Sequence, residues 1–188
     1  MRIISGEYKG RRLSGGKKRG IRPTSDRVKE TIFNVLQEEI EGKRILDLFA
    51  GAGSLGLEAL SRGAESVTFV DSSPQSINVL RKNLEDLSLS YDSKLGKTKT
   101  TLIRLDGLKA INKLKASFQI IFADPPYLKG YAQRIIDSIS QSEVLEKKGI
   151  LILEHHKKES FIFPEENLLP LKQKRFGDTV VSFFIKRS

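Results

Sequence analysis

RILDLFAGAGSLGLEALSRGAESVTFVD, residues 44–71, is the stretch on which the fold turns. Arg44 to Phe49 is a short, nearly continuous apolar run, the pattern of a strand buried on both faces. A glycine-rich turn, Ala50 to Gly53, follows it. The residues from about Ser54 to Arg62 then read as a helix closed by Gly63. Ser66 to Asp71 is a second short strand. Strand, glycine turn, helix and strand form one βαβ unit. Its turn satisfies G-x-G-x-x-G at Gly51, Gly53 and Gly56, and Asp71 lies 20 residues after Gly51. Glycines let the backbone approach a ligand, and an acid at the next strand end can bind ribose hydroxyls. Taken alone, the pattern suits any adenosine cofactor.

The pattern continues on both sides. Thr24, Ser25 and Asp26 are good helix N-cap residues, and Val28, Ile32, Val35 and Leu36 make one apolar helical face, with Gly42 as a stop. Ser73-Pro74 starts a further helix with Ile77, Leu80, Leu84 and Leu87 inside. Residues 88–98 are polar and turn-rich, a surface loop. Strands follow at 100–105, 118–123 and 149–153, with helices at about 107–115 and around Ile135, Ile136 and Ile139. Two more strand-like runs, about 159–163 and 179–186, complete seven. Alternating strands and helices predict an α/β fold with a mainly parallel sheet covered on both faces. Ligands bind such sheets at the carboxyl ends of the strands. Four successive strands end near an acid: Asp47, Asp71, Asp106 and Asp124.

Three features separate a nicotinamide cofactor from S-adenosylmethionine (AdoMet). Asp47 would repel a pyrophosphate but suits a ligand with an ammonium group. Asp106 can accept from an adenine amine. Asp124-Pro125-Pro126-Tyr127 belongs to no hydride-transfer constellation. A Pro-Pro pair cannot continue a central strand, so it makes a stiff turn at the strand end. There Asp124 and nearby carbonyls are acceptors and Tyr127 is an aromatic face, which together fit a planar base with an exocyclic amine.

The 188 residues suit one domain with an extension, and carry 33 Lys and Arg against 23 Asp and Glu. Eight of the basic residues fall in residues 1–22, where Glu7 is the single acid. Arg2, Lys9, Arg11, Arg12, Lys17, Lys18, Arg19 and Arg22 therefore form a basic arm, with a possible short hairpin from Arg2 to Leu13 and a flexible loop at GGKKRG. Such an arm is a common phosphate-binding device. With no Cys, disulfides, thiolate metal sites and a Cys nucleophile are excluded. His155 and His156 are adjacent and have no visible third ligand, so no metal is expected. No apolar run reaches the roughly 18 residues of a membrane span, and MRIISGEYKG lacks a signal-peptide core. These features predict a cytoplasmic protein.

The segments MRIISGEYKGRRL, IRPTSDRVKETIFNVL, LDLFAGAGSLGLEALSRGA and FADPPY together resemble the bacterial 16S rRNA guanine-N2 methyltransferases that modify guanine(966), in the Rossmann-like class I AdoMet-dependent group. The resemblance spans nearly the whole chain. It implies a seven-stranded sheet with an antiparallel last strand, a basic N-terminal hairpin (residues 1–23) and a methyltransferase domain (24–188). It implies AdoMet contacts from Asp47, Phe49, Gly51, Gly53, Asp71, Ser72, Asp106 and Gly107. The target pocket would be Asp124 to Tyr127. RNA would meet the arm together with Thr24 and Arg27, and Arg22 and Thr24 would lie beside the cofactor or target base. The partner implied is 16S rRNA within a small-subunit assembly particle, with neither a membrane nor an oligomer required. The residues alone leave guanine or adenine open. They also leave a DNA adenine-N6 methyltransferase, or a nucleic-acid binder that kept the fold, as alternatives.

Overall fold

The computed structural model describes residues 1–15, 25–96 and 98–188. Lys17, Lys18, Arg19, Arg22 and Thr24 lie outside the described residues.

The expected βαβ unit is present as β1 (Arg44–Leu48), α2 (Ser54–Ser61) and β2 (Ser66–Asp71). It is preceded by α1 (Asp26–Leu36). After it come α3 (Pro74–Asp86), β3 (Tyr91–Asp92), β4 (Thr100–Arg104) and α4 (Gly107–Lys113). The chain ends with β5 (Phe118–Ala123), α5 (Tyr131–Ser140), β6 (Leu145–His156), β7 (Leu168–Phe176) and β8 (Thr179–Lys186). One sheet contains all the strands in the order β3-β4-β2-β1-β5-β6-β8-β7. The pairs from β3 to β6 are parallel, and β8 is antiparallel to β6 and β7.

Caps set the helix starts. Ser25, one of three candidates, accepts from the Val28 N–H at 3.2 Å and opens α1. Ser73 does the same for α3 at Ser76, with Pro74 in the first turn. The sheet alternation sorts the core into two layers. Ile45, Val67, Phe69, Ile120 and Phe122 face α1, α2 and α3. Leu46, Leu48, Val70, Ile121 and Leu151 face α4 and α5. Burial of each such side chain is worth roughly 1.5–3 kcal/mol.

The structure corrects the strand count. Among the described residues there are eight strands, and one that was not expected is Tyr91–Asp92, inside the 88–98 loop, which pairs with Thr100 and Thr101. The run 159–163 is not a strand. Phe161 and Phe163 instead lay their rings on His155 and Phe184, covering the α5 side of the sheet. One edge strand is β7, which the sequence reading did not include; it carries Lys172, Lys174 and Arg175. Charges and Pro170 are what an exposed edge uses to block further pairing. The strand expected at 149–153 is longer, β6 from Leu145 to His156, and its register against β5 shifts between Phe118 and Ile120.

Residues 1–13 form the hairpin. Ile3 N–H donates to Arg11 O at 3.0 Å, Leu13 N–H donates to Met1 O at 3.0 Å, and Arg2 bridges Arg12. Ile3 and Leu13 are buried in the same core as α1 and α2.

Candidate active site

Parallel neighbours β4, β2, β1 and β5 place their carboxyl ends side by side, so the four acids gather on one rim. Leu48 pairs with both Val70 and Ala123. One residue further on, Phe49 therefore stands level with Asp71 on one side and Asp124 on the other.

The glycine turn is held from both ends. The Gly51 N–H donates to Asp71 Oδ2 at 2.8 Å, and the Ser73 N–H donates to Asp71 Oδ1 at 2.8 Å. A carboxylate has about four lone-pair sites, so acceptor capacity remains for ribose hydroxyls. Gly53 has a φ of +81°, and a Cβ there would lie 2.3 Å from Leu80 Cδ1. Gly56 lets α2 approach β2; its Cβ would meet the Phe69 ring at 2.3 Å and Asp47 Oδ2 at 2.9 Å.

Asp47 alternates onto the α2 side of the sheet and is 3% exposed. Its Oδ2 accepts from the Gly56 N–H at 2.9 Å, in the first turn of α2. Burial pushes its carboxyl up to about 7, against the Gly56 hydrogen bond and with the help of nearby Asp71. A cation at the turn would favour its ionised form.

Asp106 caps α4, accepting from the Lys109 N–H at 3.1 Å. Gly107 is buried, and the Phe49 ring fills the space where its Cβ would stand. Phe49 has a φ of +60° and meets Tyr131 edge-on, with centroids 5.5 Å apart. A left-handed phenylalanine is strained, as residues beside functional turns often are. Ser72 is exposed between Asp71 and Ser73.

On the other side of β1, Asp124 and Tyr127 are half-buried and Pro125 is buried. The Tyr127 hydroxyl donates to Glu154 Oε1 on β6 and lies 3.1 Å from Thr179 Oγ1 on β8. Its ring centroid is 5.9 Å from that of His156. Burial, then the Glu154 carboxylate, push the phenol well up, so it stays a donor. The ring is thus pinned at its hydroxyl end. Glu154 and Thr179 are missing from the sequence-derived site. The one signal for them is that Glu154 ends the strand next to the Asp-Pro-Pro-Tyr strand. His155 packs rather than reacts. Its Nε2 is 2.9 Å from Ser182 Oγ and burial lowers its pKa.

The hairpin is fastened to the glycine turn by buried polar groups. Lys29, fully buried, sits 3.3 Å from Glu58 Oε2, and its Nζ donates to the Arg2 carbonyl and, at 3.4 Å, to Ser54 Oγ. Glu58 also accepts from the Ile4 and Ser5 N–H groups at 2.8 and 3.0 Å, and from Arg62. Asn83 donates to Ser14 O and Ala52 O at 3.1 and 2.9 Å, and accepts from the Ser14 N–H. Ser14, at the end of the described arm, is therefore held beside the turn. A lone acid in the wholly buried helix Ser54–Ser61 was the available signal for Glu58. Among the arm's described cations, Arg2 bonds Asp26 at 3.1 Å, Arg11 reaches the Asp86 carbonyl, and Lys9, Arg12 and Arg27 are exposed.

Comparison with known proteins agrees with this fold. The profile of the family described as Conserved hypothetical protein 95 matches residues 1–185. Ribosomal RNA small subunit methyltransferase D of Haemophilus influenzae is 38% identical over 183 residues, covering 97% of this chain and 91% of that protein. A solved methyltransferase candidate, yhhF of Escherichia coli, superposes with a TM-score of 0.86 at 29% identity, covering 100% of this chain and 98% of that one. A T. thermophilus 16S rRNA N2 methyltransferase, solved with AdoMet and guanosine, shares the fold. Its TM-score is 0.65 at 24% identity, covering 91% of this chain and 45% of that chain.

Proposed function

The chain belongs to the Conserved hypothetical protein 95 family, and from that premise we propose that it is an AdoMet-dependent enzyme that methylates the exocyclic N2 amine of a guanine in 16S rRNA. The observation that carries this reading is the Asp124–Tyr127 loop, pinned at Tyr127, which leaves β5 beside the glycine turn that leaves the adjacent β1.

The rim fits the cofactor. The turn presents backbone rather than side chains at Gly51 and Gly53, and the donor-rich ligand meets three acids. Asp71 would take the ribose, Asp47 would neutralise the ammonium group, and Asp106 with Gly107 and Phe49 would hold the adenine. Ser72 flanks the ribose. When bound, AdoMet supplies a methyl group already activated by its sulfonium.

The remaining work belongs to the target side. The amine of guanine is a weak nucleophile because its lone pair is spread into the ring. Asp124 and a backbone carbonyl of the loop accept its two N–H bonds and favour a pyramidal nitrogen. Asp124 then accepts the proton that the methylated amine must lose. Tyr127 stacks on the base and holds it in line. Pro125 and Pro126 keep the loop stiff, so this geometry is preorganised. Residues 1–23 act as an RNA-gripping arm on the methyltransferase domain of residues 24–188. In this reading Arg22 and Thr24 contact the RNA, and Arg27 extends the grip along α1. The substrate is presented in a small-subunit assembly particle in the cytoplasm. Among the described residues, no helix is long and apolar enough to cross a membrane.

Methyl-labelled AdoMet offered with naked 16S rRNA, 30S particles or duplex DNA tests the reading. N2-methylguanine in rRNA is the expected product, and N6-methyladenine in DNA overturns it. Asp124→Ala should abolish transfer while AdoMet affinity, measured by calorimetry, is retained. Surviving activity would remove Asp124 from the pocket.

A further inference from the structure

Leu128 follows the target loop directly and is 59% exposed. Its φ is +58°. A left-handed backbone costs an ordinary L-residue roughly 1–2 kcal/mol, a penalty glycine escapes. The side chain belongs to neither buried core cluster nor to the apolar residues packed against them. Folding therefore gains little from a leucine here: the chain holds a large apolar group in water, in a backbone setting that favours another residue. Among the described residues two other apolar side chains are comparably bare, Ile162 and Leu171. Neither has a positive φ. Ile162 is moreover tied through its backbone to Gln133 on α5, at 2.7 and 2.8 Å. Leu128 alone among the three combines exposure, strain and a place one residue from Tyr127.

That place has a chemical meaning if the rRNA reading holds, and the inference rests on it. A base stacked on Tyr127 has left its own stack. Enzymes that extrude a base meet an unstacking cost of a few kcal/mol, and proteins that part base steps insert an apolar wedge such as Leu, Ile, Met or Pro. Because Tyr127 is anchored at its hydroxyl by Glu154 and Thr179, its successor is projected from a fixed point. Pro126 and Lys129, on either side of the Tyr127–Leu128 pair, are also exposed. Proline adds a second apolar surface, and the lysine adds a cation for the phosphates that pass the gap. We propose that Leu128 is the unstacking wedge of this enzyme: its side chain enters the stack that the target guanine vacates while Tyr127 receives the base. The left-handed backbone is what aims it outward.

The test compares two RNAs carrying the same rRNA target sequence, one with the guanine stacked in a helix and one with it in an unpaired strand. Leu128→Gly removes the wedge and relieves the backbone, so its Tm should equal or exceed that of the unchanged protein. Leu128→Met keeps the apolar length. Leu128→Gly should lose about tenfold or more in kcat/KM on the stacked guanine and less than about twofold on the unpaired one. Leu128→Met should stay near the original on both, and AdoMet affinity should be the same in all three. With 2-aminopurine next to the target, binding of the unchanged protein should raise its fluorescence, and Leu128→Gly should not. Equal losses on the two RNAs, or no loss on the stacked one, would overturn the wedge. Failure of the unchanged protein to methylate either RNA would instead overturn the rRNA reading.

Discussion

The two sides of β1 are built in opposite ways. On the proposed cofactor side, Asp47, Gly51, Gly53, Gly56 and Asp71 lie within 25 consecutive residues, and backbone N–H groups donating to two carboxylates hold them. On the proposed target side, Tyr127 depends on Glu154 and Thr179, side chains from two strands that are distant in sequence. The first is a local backbone device with little freedom to move. The second is a side-chain assembly completed only when β6 and β8 join the sheet. A cofactor common to many reactions can be met by a rigid turn. A particular base needs a surface assembled from several elements.

The largest expected effect breaks the cofactor side. Gly56→Ala drives a methyl group into the Phe69 ring and Asp47, and overpacking of that kind costs about 3 kcal/mol. Tm should fall by several degrees and AdoMet binding should weaken, both readable by thermal shift. An unchanged Tm would mean that α2 can lift off β2 freely. The target side should respond differently. Tyr127→Phe keeps the ring but gives up a hydrogen bond to a carboxylate, and should lower kcat about tenfold with AdoMet affinity intact. Glu154→Gln, which retains an acceptor oxygen, should lose less. Full activity in Tyr127→Phe would show that the ring needs no anchor.

The last effect is graded rather than abrupt, a pH slope. The Asp47 carboxyl is raised from 3.8 to about 7, so the folded state holds its proton more tightly than the unfolded chain does. Stability contributed by that proton is present at low pH and is lost as pH rises from about 4 to about 7. Asp47→Asn removes the dependence. The stability of the variant relative to the original should therefore climb over that window, by at most about 1.4 kcal/mol per pH unit, and level off above it. AdoMet affinity of the original should strengthen through the same window, because a cation favours the ionised carboxylate, whereas the variant should stay flat. Denaturant titrations and calorimetry at several pH values read both. A flat profile in the original would separate Asp47 from the ligand.

Legibility follows the same division. The βαβ unit, its caps and the acids at four strand ends could be read because each depends on neighbours a few residues away. Tyr127 was legible as an aromatic face, but the anchor that orients it was not, since Glu154 and Thr179 carry no local pattern. The 159–163 run shows the converse. Its apolar spacing looked like a strand, and only the nearby Phe184 and His155 rings made it a cover instead. The arm divides likewise. Its charge was plain in composition, yet its fastening by Lys29, Glu58 and Asn83 appeared only in the packed structure.

What the sequence determined by itself was the type of chemistry: a glycine turn, acids at parallel strand ends and a stiff Asp-Pro-Pro-Tyr loop. These follow from backbone conformation and residue type, which are local. The tertiary structure decided which side chains hold the loop, that Asp47 lies buried beneath the turn rather than open to solvent, and that the hairpin is docked along α2. Those outcomes depend on burial and on contacts between residues far apart in the chain, and no window of sequence contains them.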